Sequence, residues 1–217
     1  MRLRNSKTAA ELILTSDYLI RDTENLIGNW SKIYKNNAPI HLEIGMGKGN
    51  FIRTLAKQYP EINFIGLEKS DKVLGRALKS LETEKIANLK ILMVNASDLH
   101  LYFDNQEIER IYLNFSDPWP KIRHTKRRLT NAGFLKTYKA ILQNKGEIHL
   151  KTDNRKFFEY SIESFSDFGM LIKNINFDLH SGNLSDNIET EYETKLKSHG
   201  PIYRLEAYFG GETYENG

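Results

Sequence analysis

The chain has 217 residues, 40% of them hydrophobic and 11% aromatic, enough to close a core of its own as one domain. It contains no cysteine, which excludes a disulfide framework, a thiolate metal site and a thiol nucleophile, and suits a reducing cytoplasm. The net charge of +3 conceals two unlike parts: residues 1–156 carry 27 Lys and Arg against 17 Asp and Glu, residues 157–217 carry 4 against 11, so a polyanionic partner is expected on the first part.

In chain order, the opening MRLRNSKTAAELILTSDYLI starts basic, but its longest aliphatic run is Leu12 to Leu14, flanked by Glu11 and Asp17, so it does not read as a signal peptide. No apolar run approaches the roughly 18 residues of a membrane span. Residues 1–35 are expected as an N-terminal arm and helical region, and 36–217 as the core of the single domain. Residues 39–44 (PIHLEI) read as a strand, 49–60 as a helix with Phe51, Ile52, Leu55 and Ala56 at helical spacing, and 62–68 (INFIGLE) as the next strand. A second helix is predicted over 71–86, on the stripe Val73, Leu74, Ala77, Leu78 and Leu81, followed by a strand at 89–94. Strands at 110–115 and 146–151, with a helix beginning near Thr130 between them, continue the pattern. A helix over 155–168 and strands at 170–179 and 202–209 complete it. Seven strands alternating with helices imply a doubly wound, mostly parallel α/β sheet, with the last two strands pairing antiparallel at one edge.

In such sheets ligands bind at the carboxyl ends of the strands. The first strand ends in EIGMGKG: Glu43, then Gly45, Gly47 and Gly49 entering the helix. The third glycine falls one residue too early for a dinucleotide fingerprint, which weighs against hydride chemistry. The second strand ends in Glu68, where an acid accepts hydrogen bonds from both hydroxyls of a ribose. The third ends at Asn95, whose amide has the donor and acceptor to read an adenine edge. Each acid or amide taken singly is more often a helix cap or a solvated turn residue. Together they suit S-adenosylmethionine, since a carboxylate beside the glycine loop repels a diphosphate and attracts an ammonium or sulfonium.

The fourth strand runs into NFSDPWPKIRHTKRRL, where an acidic turn between prolines is followed by Lys121, Arg123, Lys126, Arg127 and Arg128. At close to full length, the sequence resembles the bacterial tRNA (guanine-N7-)-methyltransferase family of Rossmann-like, class I S-adenosylmethionine-dependent methyltransferases. EIGMGKG is similar to its cofactor loop, NFSDPWPKIRHTKRRL to its active-site and RNA-binding segment, KTDN (151–154) to the sequence after its fifth strand, and TEYETK (190–195) to its C-terminal substrate loop. Ser116 and Ile122 depart from the family pattern, where Pro and Lys are frequent.

The resemblance implies methyl transfer to N7 of a guanine in the tRNA variable loop, with Asp117 catalytic and also at the cofactor, and with Asp153, Thr190, Glu191, Tyr192 and Glu193 at the substrate. Asp117 is suited to stabilise the positive charge that develops on the ring, and to accept hydrogen bonds either from the guanine edge or from the cofactor's amino group. Trp119 stacks on the base or closes the pocket floor. Lys121, Arg123, His124, Lys126, Arg127 and Arg128 are expected on RNA phosphates, with Arg2, Arg4 and Lys7 extending the footprint. The six histidines show no metal-ligand spacing, so no metal is expected. Neither a nucleophile elbow nor a P-loop is present. The partner is tRNA, with no membrane, and the oligomer is a monomer or a homodimer. The competing readings are an RNA methyltransferase acting on another base and a non-catalytic RNA-binding protein with a vestigial cofactor fold.

Overall fold

The computed structural model describes residues 8–182 and 187–210; Arg2, Arg4 and Lys7 lie outside the described residues. Seven strands, β1 (Ile40–Ile44), β2 (Asn63–Leu67), β3 (Leu89–Leu92), β4 (Ile108–Asn114), β5 (Leu142–Thr152), β6 (Met170–Asn176) and β7 (Tyr203–Phe209), form one sheet in the order β3-β2-β1-β4-β5-β7-β6. The first five are parallel, and the chain reverses its direction of travel between β1 and β4, opening a crevice at their carboxyl ends. The last two strands pair antiparallel at one edge, as expected, but the reversed strand is second from that edge, with β7 inserted between β5 and β6. Burial follows the placement: β7, flanked on both sides, buries Tyr203, Leu205, Glu206 and Ala207, whereas the edge strand β6 buries Met170 alone.

Seven helices accompany the sheet among the described residues: α1 (Ala9–Thr15), α2 (Trp30–Tyr34), α3 (Asn50–Gln58), α4 (Asp71–Leu81), α5 (Ala132–Ile141), α6 (Arg155–Asp167) and α7 (Glu191–Leu196). β1 and β2 are buried at every residue because helices cover both of their faces. One layer gathers Trp30, Tyr138, Phe157, Phe158 and Phe165 from α2, α5 and α6. The other gathers Leu12, Phe51, Ile52, Leu55, Leu74 and Leu78 from α1, α3 and α4. None of these helices is long and apolar enough to cross a membrane.

α4 stops at Leu81 rather than continuing to 86. The apolar Ile86 extends the helical pattern in sequence, but the hydroxyl of Tyr18 donates to the Glu84 carbonyl (2.7 Å) and accepts from the Ile86 amide (3.0 Å), capturing this backbone outside the helix. The segment read as a substrate loop is instead a short helix, α7, started by a capping box in which Thr190 and Glu193 satisfy each other's backbone amides.

Candidate active site

The glycine loop between β1 and α3 turns through left-handed backbone at Gly45 (φ 78°) and Gly47 (φ 58°), and a Cβ at either would meet no atom within 4 Å. Both positions therefore require glycine for the turn and leave the backbone open to a ligand. Gly49 (φ 76°) is the residue from which α3 starts.

Glu43 is buried at the end of β1, and Asn114 Nδ2 donates to its Oε1 at 2.9 Å. Its Oε2 is buried with no hydrogen bond among the described residues. Burial outweighs the opposing pull of Asn114 and Lys151 and pushes the carboxyl up to about 8. Glu68 accepts from the Gly47 amide (3.2 Å) and the Ser70 amide (2.9 Å), tying the end of β2 to the glycine loop. Asn95 caps a 3₁₀ turn, its Oδ1 accepting from the Ser97 amide at 3.2 Å. The cap reading thus holds for its oxygen, and the residue still lines the cleft.

These strand ends enclose a cavity of about 570 Å³, within the roughly 300–1,000 Å³ typical of small-ligand sites. Gly45, Glu68, Asn95 and Ser97 line it together with Asp117, Trp119, Lys126 and Arg127. Asp117 is exposed and has no hydrogen-bond or ion-pair partner among the described residues, so its oxygens are available to a ligand. The hydroxyl of Ser116, in the same lining, is buried without a partner. A second cavity of about 270 Å³ adjoins the first at Gly45, Asn114 and Phe115, and is bounded by Glu43, Lys48, Thr190, Glu191 and Tyr192.

α7 closes this second cavity. Glu191 accepts from Lys48 (2.8 Å) and Asn50 (3.4 Å) across the glycine loop, and the ring of Tyr192, 52% exposed, packs on Phe115 at 5.2 Å. Glu193, expected to face RNA, is corrected: it is 0% exposed and faces inward. Its Oε1 accepts from Asn187 (2.7 Å) and His180 (3.0 Å), and its Oε2 from Lys151 (3.0 Å). Thr190 is likewise buried as the cap of α7. Asp153 is exposed just beyond β5 and lines neither cavity.

In the cationic segment, Lys121, Arg123, Lys126 and Arg127 are exposed and pair with no acid among the described residues. Trp119 lies half-buried with φ 41°, its ring touched edge-on by His124 (5.6 Å) and covered by Arg127 (4.9 Å). Arg128, expected on a phosphate, is turned toward its own chain, its guanidinium donating to the Pro118 and Trp119 carbonyls. Ile122 is 90% exposed among the cations, so the family's usual Lys there would face solvent.

Sequence reading passed over Asn114, Ser116, Lys48, Asn50 and Lys151. Asn114 and Ser116 sit beside Asp117 in the quoted motif and were legible there as further strand-end polar residues. It also gave no sign that Glu147, His149 and Glu206 bring donor atoms within 4.8 Å of one another. Arg110 (3.1 Å) and Lys173 pair with Glu147, and Arg204 (2.7 Å) with Glu206, so these carboxylates are already neutralised by the chain's own cations.

The fold is the Rossmann-like fold of class I methyltransferases. A 16S rRNA adenine methyltransferase from Catenulisporales acidiphilia, solved with its cosubstrate SAM, superposes with a TM-score of 0.61 at 14% identity, over 86% of this chain and 92% of that one. A family model described as a putative methyltransferase matches residues 37–205. The chain is 50% identical over 212 residues to the tRNA (guanine-N(7)-)-methyltransferase of Lysinibacillus sphaericus (strain C3-41), covering 96% of this chain and 98% of that protein. It is 51% identical to the enzyme of the same name from Streptococcus suis (strain 05ZYH33), covering 96% of this chain and 100% of the relative. The chain belongs to the tRNA (guanine-N(7)-)-methyltransferase family.

Proposed function

We propose that this chain transfers a methyl group from S-adenosylmethionine to N7 of a guanine in the variable loop of tRNA, in the cytoplasm. The observation that carries this reading is that one cavity joins the strand-end acid and amide, Glu68 and Asn95, to Asp117, Trp119 and the cations Lys126 and Arg127. Residues suited to a cofactor and residues suited to RNA thus line a single space.

The residues fit the cofactor on three counts. Gly45 and Gly47 leave the loop backbone open, Glu43 presents a buried oxygen without a hydrogen bond, and Glu68 and Asn95 stand at the next two strand ends. We assign Glu43, the Gly45 to Gly49 loop, Glu68 and Asn95 to holding it. When bound, S-adenosylmethionine supplies an electrophilic methyl group on a sulfonium.

Guanine N7 carries a lone pair and no proton, so no side chain has to remove a proton to make it nucleophilic. The chain's work is positioning. Asp117, exposed in the cavity lining and unpartnered among the described residues, is placed to accept from the base edge and to stabilise the positive charge that grows on the ring. Lys121, Arg123, Lys126 and Arg127 hold phosphates on either side, with His124 seated against Trp119. Glu191 and Tyr192 present the outer face of α7 to the substrate, while Thr190 and Glu193 hold the helix in place. Asp153, just beyond the carboxyl end of β5, is left for a base edge or a ribose hydroxyl.

The test is methyl incorporation from labelled S-adenosylmethionine into unmodified tRNA, comparing wild type, Asp117→Ala and a tRNA whose variable-loop guanine is replaced by adenine. Incorporation is expected to require both the guanine and Asp117. Incorporation that survives the base replacement would assign another target base, and tight binding of RNA and cofactor without transfer would make this an RNA-binding protein.

A further inference from the structure

Five cations stand close together in the segment after Asp117, but they do not share one environment. Lys121, Arg123, Lys126 and Arg127 are exposed, whereas Arg128 is half-buried and turned back onto its own chain. Its Nε donates to the carbonyls of Pro118 (3.1 Å) and Trp119 (3.3 Å), and its Nη2 donates to Trp119 again (3.0 Å). A face of the guanidinium rests on the Tyr160 ring of α6, 4.2 Å from the centroid. Tyr160 is fixed in turn, its hydroxyl accepting from Asn131 Nδ2 (3.1 Å), the residue that caps α5.

The carbonyls that Arg128 grips belong to a turn under conformational tension. Trp119 (φ 41°) and Phe115 (φ 50°) both occupy left-handed backbone that side chains other than glycine disfavour, on either side of Asp117. Such a conformation persists only where the surroundings over-determine it. The planar fork of Arg128 does this by fixing two successive peptide groups at once, which a lysine ammonium with its single nitrogen cannot reproduce. The Nε and Nη2 edge, which would otherwise grip a phosphate with two parallel hydrogen bonds, is occupied by the protein itself.

We infer that Arg128 is a positioning residue for the methyl transfer: clamped between Tyr160 and the Pro118 and Trp119 carbonyls, it holds the turn that aims Asp117 into the cavity and takes no RNA phosphate. This rests on the proposed methyl transfer. The two are separated by measuring kcat and the salt dependence of binding on whichever RNA the wild type methylates.

Arg128→Lys, which keeps the charge, is expected to lower kcat by about tenfold to a hundredfold, the scale of a misplaced reacting group. Arg128→Gln, which removes the charge, should leave the slope of log affinity against log salt at the wild-type value. Arg123→Ala, removing an exposed cation, is expected to flatten that slope by about 0.7 to 0.9. Tyr160→Leu changes no charge and should repeat the kcat loss, and Tyr160→Phe, which keeps the ring, should restore it. Melting curves identify a variant that has lost its fold, in which case the Tyr160 pair decides. A flattened salt slope in Arg128→Gln, or wild-type kcat in Arg128→Lys or in Tyr160→Leu, would overturn the proposal. Transfer to an RNA lacking the guanine would overturn the functional reading and leave the Arg128 comparison intact.

Discussion

A glutamate carboxyl buried at the end of β1 with one oxygen unbonded is protonated at neutral pH, because burial has pushed Glu43 up to about 8. A cationic group arriving beside it reverses that balance by favouring the charged form. Cofactor binding near pH 7 is therefore expected to release a proton, seen in calorimetry as a binding heat that changes with the buffer's ionisation enthalpy; equal heats in two buffers would remove Glu43 from the cation. The free protein gives a second reading. The folded chain keeps this proton up to about pH 8 while the unfolded chain releases it near 4.5, so stabilisation from Glu43 is fully present below about 4.5 and is lost as pH rises through about 8. Compared with wild type, Glu43→Gln should gain melting temperature steadily over that window. His41 and His149 are shifted the other way, held neutral by burial in β1 and β5, which is why the variant comparison is needed to isolate Glu43.

At the scale of elements, α7 is six residues long and too short to persist without tertiary contacts. Its hold on the domain is the buried pair of Glu193 with Lys151 at the end of β5 (3.0 Å), reinforced by Asn187 and the Ile188 carbonyl on the same lysine. Removing one partner leaves a buried charge uncompensated, so Glu193→Ala is expected to cost about 3 kcal/mol in urea unfolding. The double change Lys151→Met with Glu193→Met should recover most of that stability while still lowering activity, because Glu191 and Tyr192 lose their register over the glycine loop. On the far layer, α1 docks on α4 at Gly75, where an added Cβ would come within 2.4 Å of the Ala9 Cβ. Gly75→Val should push the two helices apart and destabilise the fold by about 1–3 kcal/mol, read by the melting temperature. That contact was invisible in the sequence, where Gly75 interrupts an otherwise good helical stripe without indicating what it makes room for.

Across the whole molecule, the positive excess of residues 1–156 comes to a point at the cationic segment beside the cavity. Four exposed cations engaging four phosphates predict a slope of log affinity against log salt of roughly −3 to −4, or about a hundredfold loss between 50 and 200 mM salt. A slope near zero in filter binding would remove the segment from the RNA interface. Sequence by itself determined the alternation of strands and helices, the glycine loop, the acid and amide at the next two strand ends, and the Asp117 segment, because periodicity, strand-end position and charge are properties of neighbouring residues. The tertiary structure decided what depends on distant partners: that β7 inserts between β5 and β6, that α4 ends where Tyr18 captures its continuation, that Thr190 and Glu193 face inward, and that Arg128 grips a turn nine residues before it. A charged side chain announces its charge in the sequence, but whether that charge meets solvent, a carboxylate or its own backbone depends on what packing brings beside it.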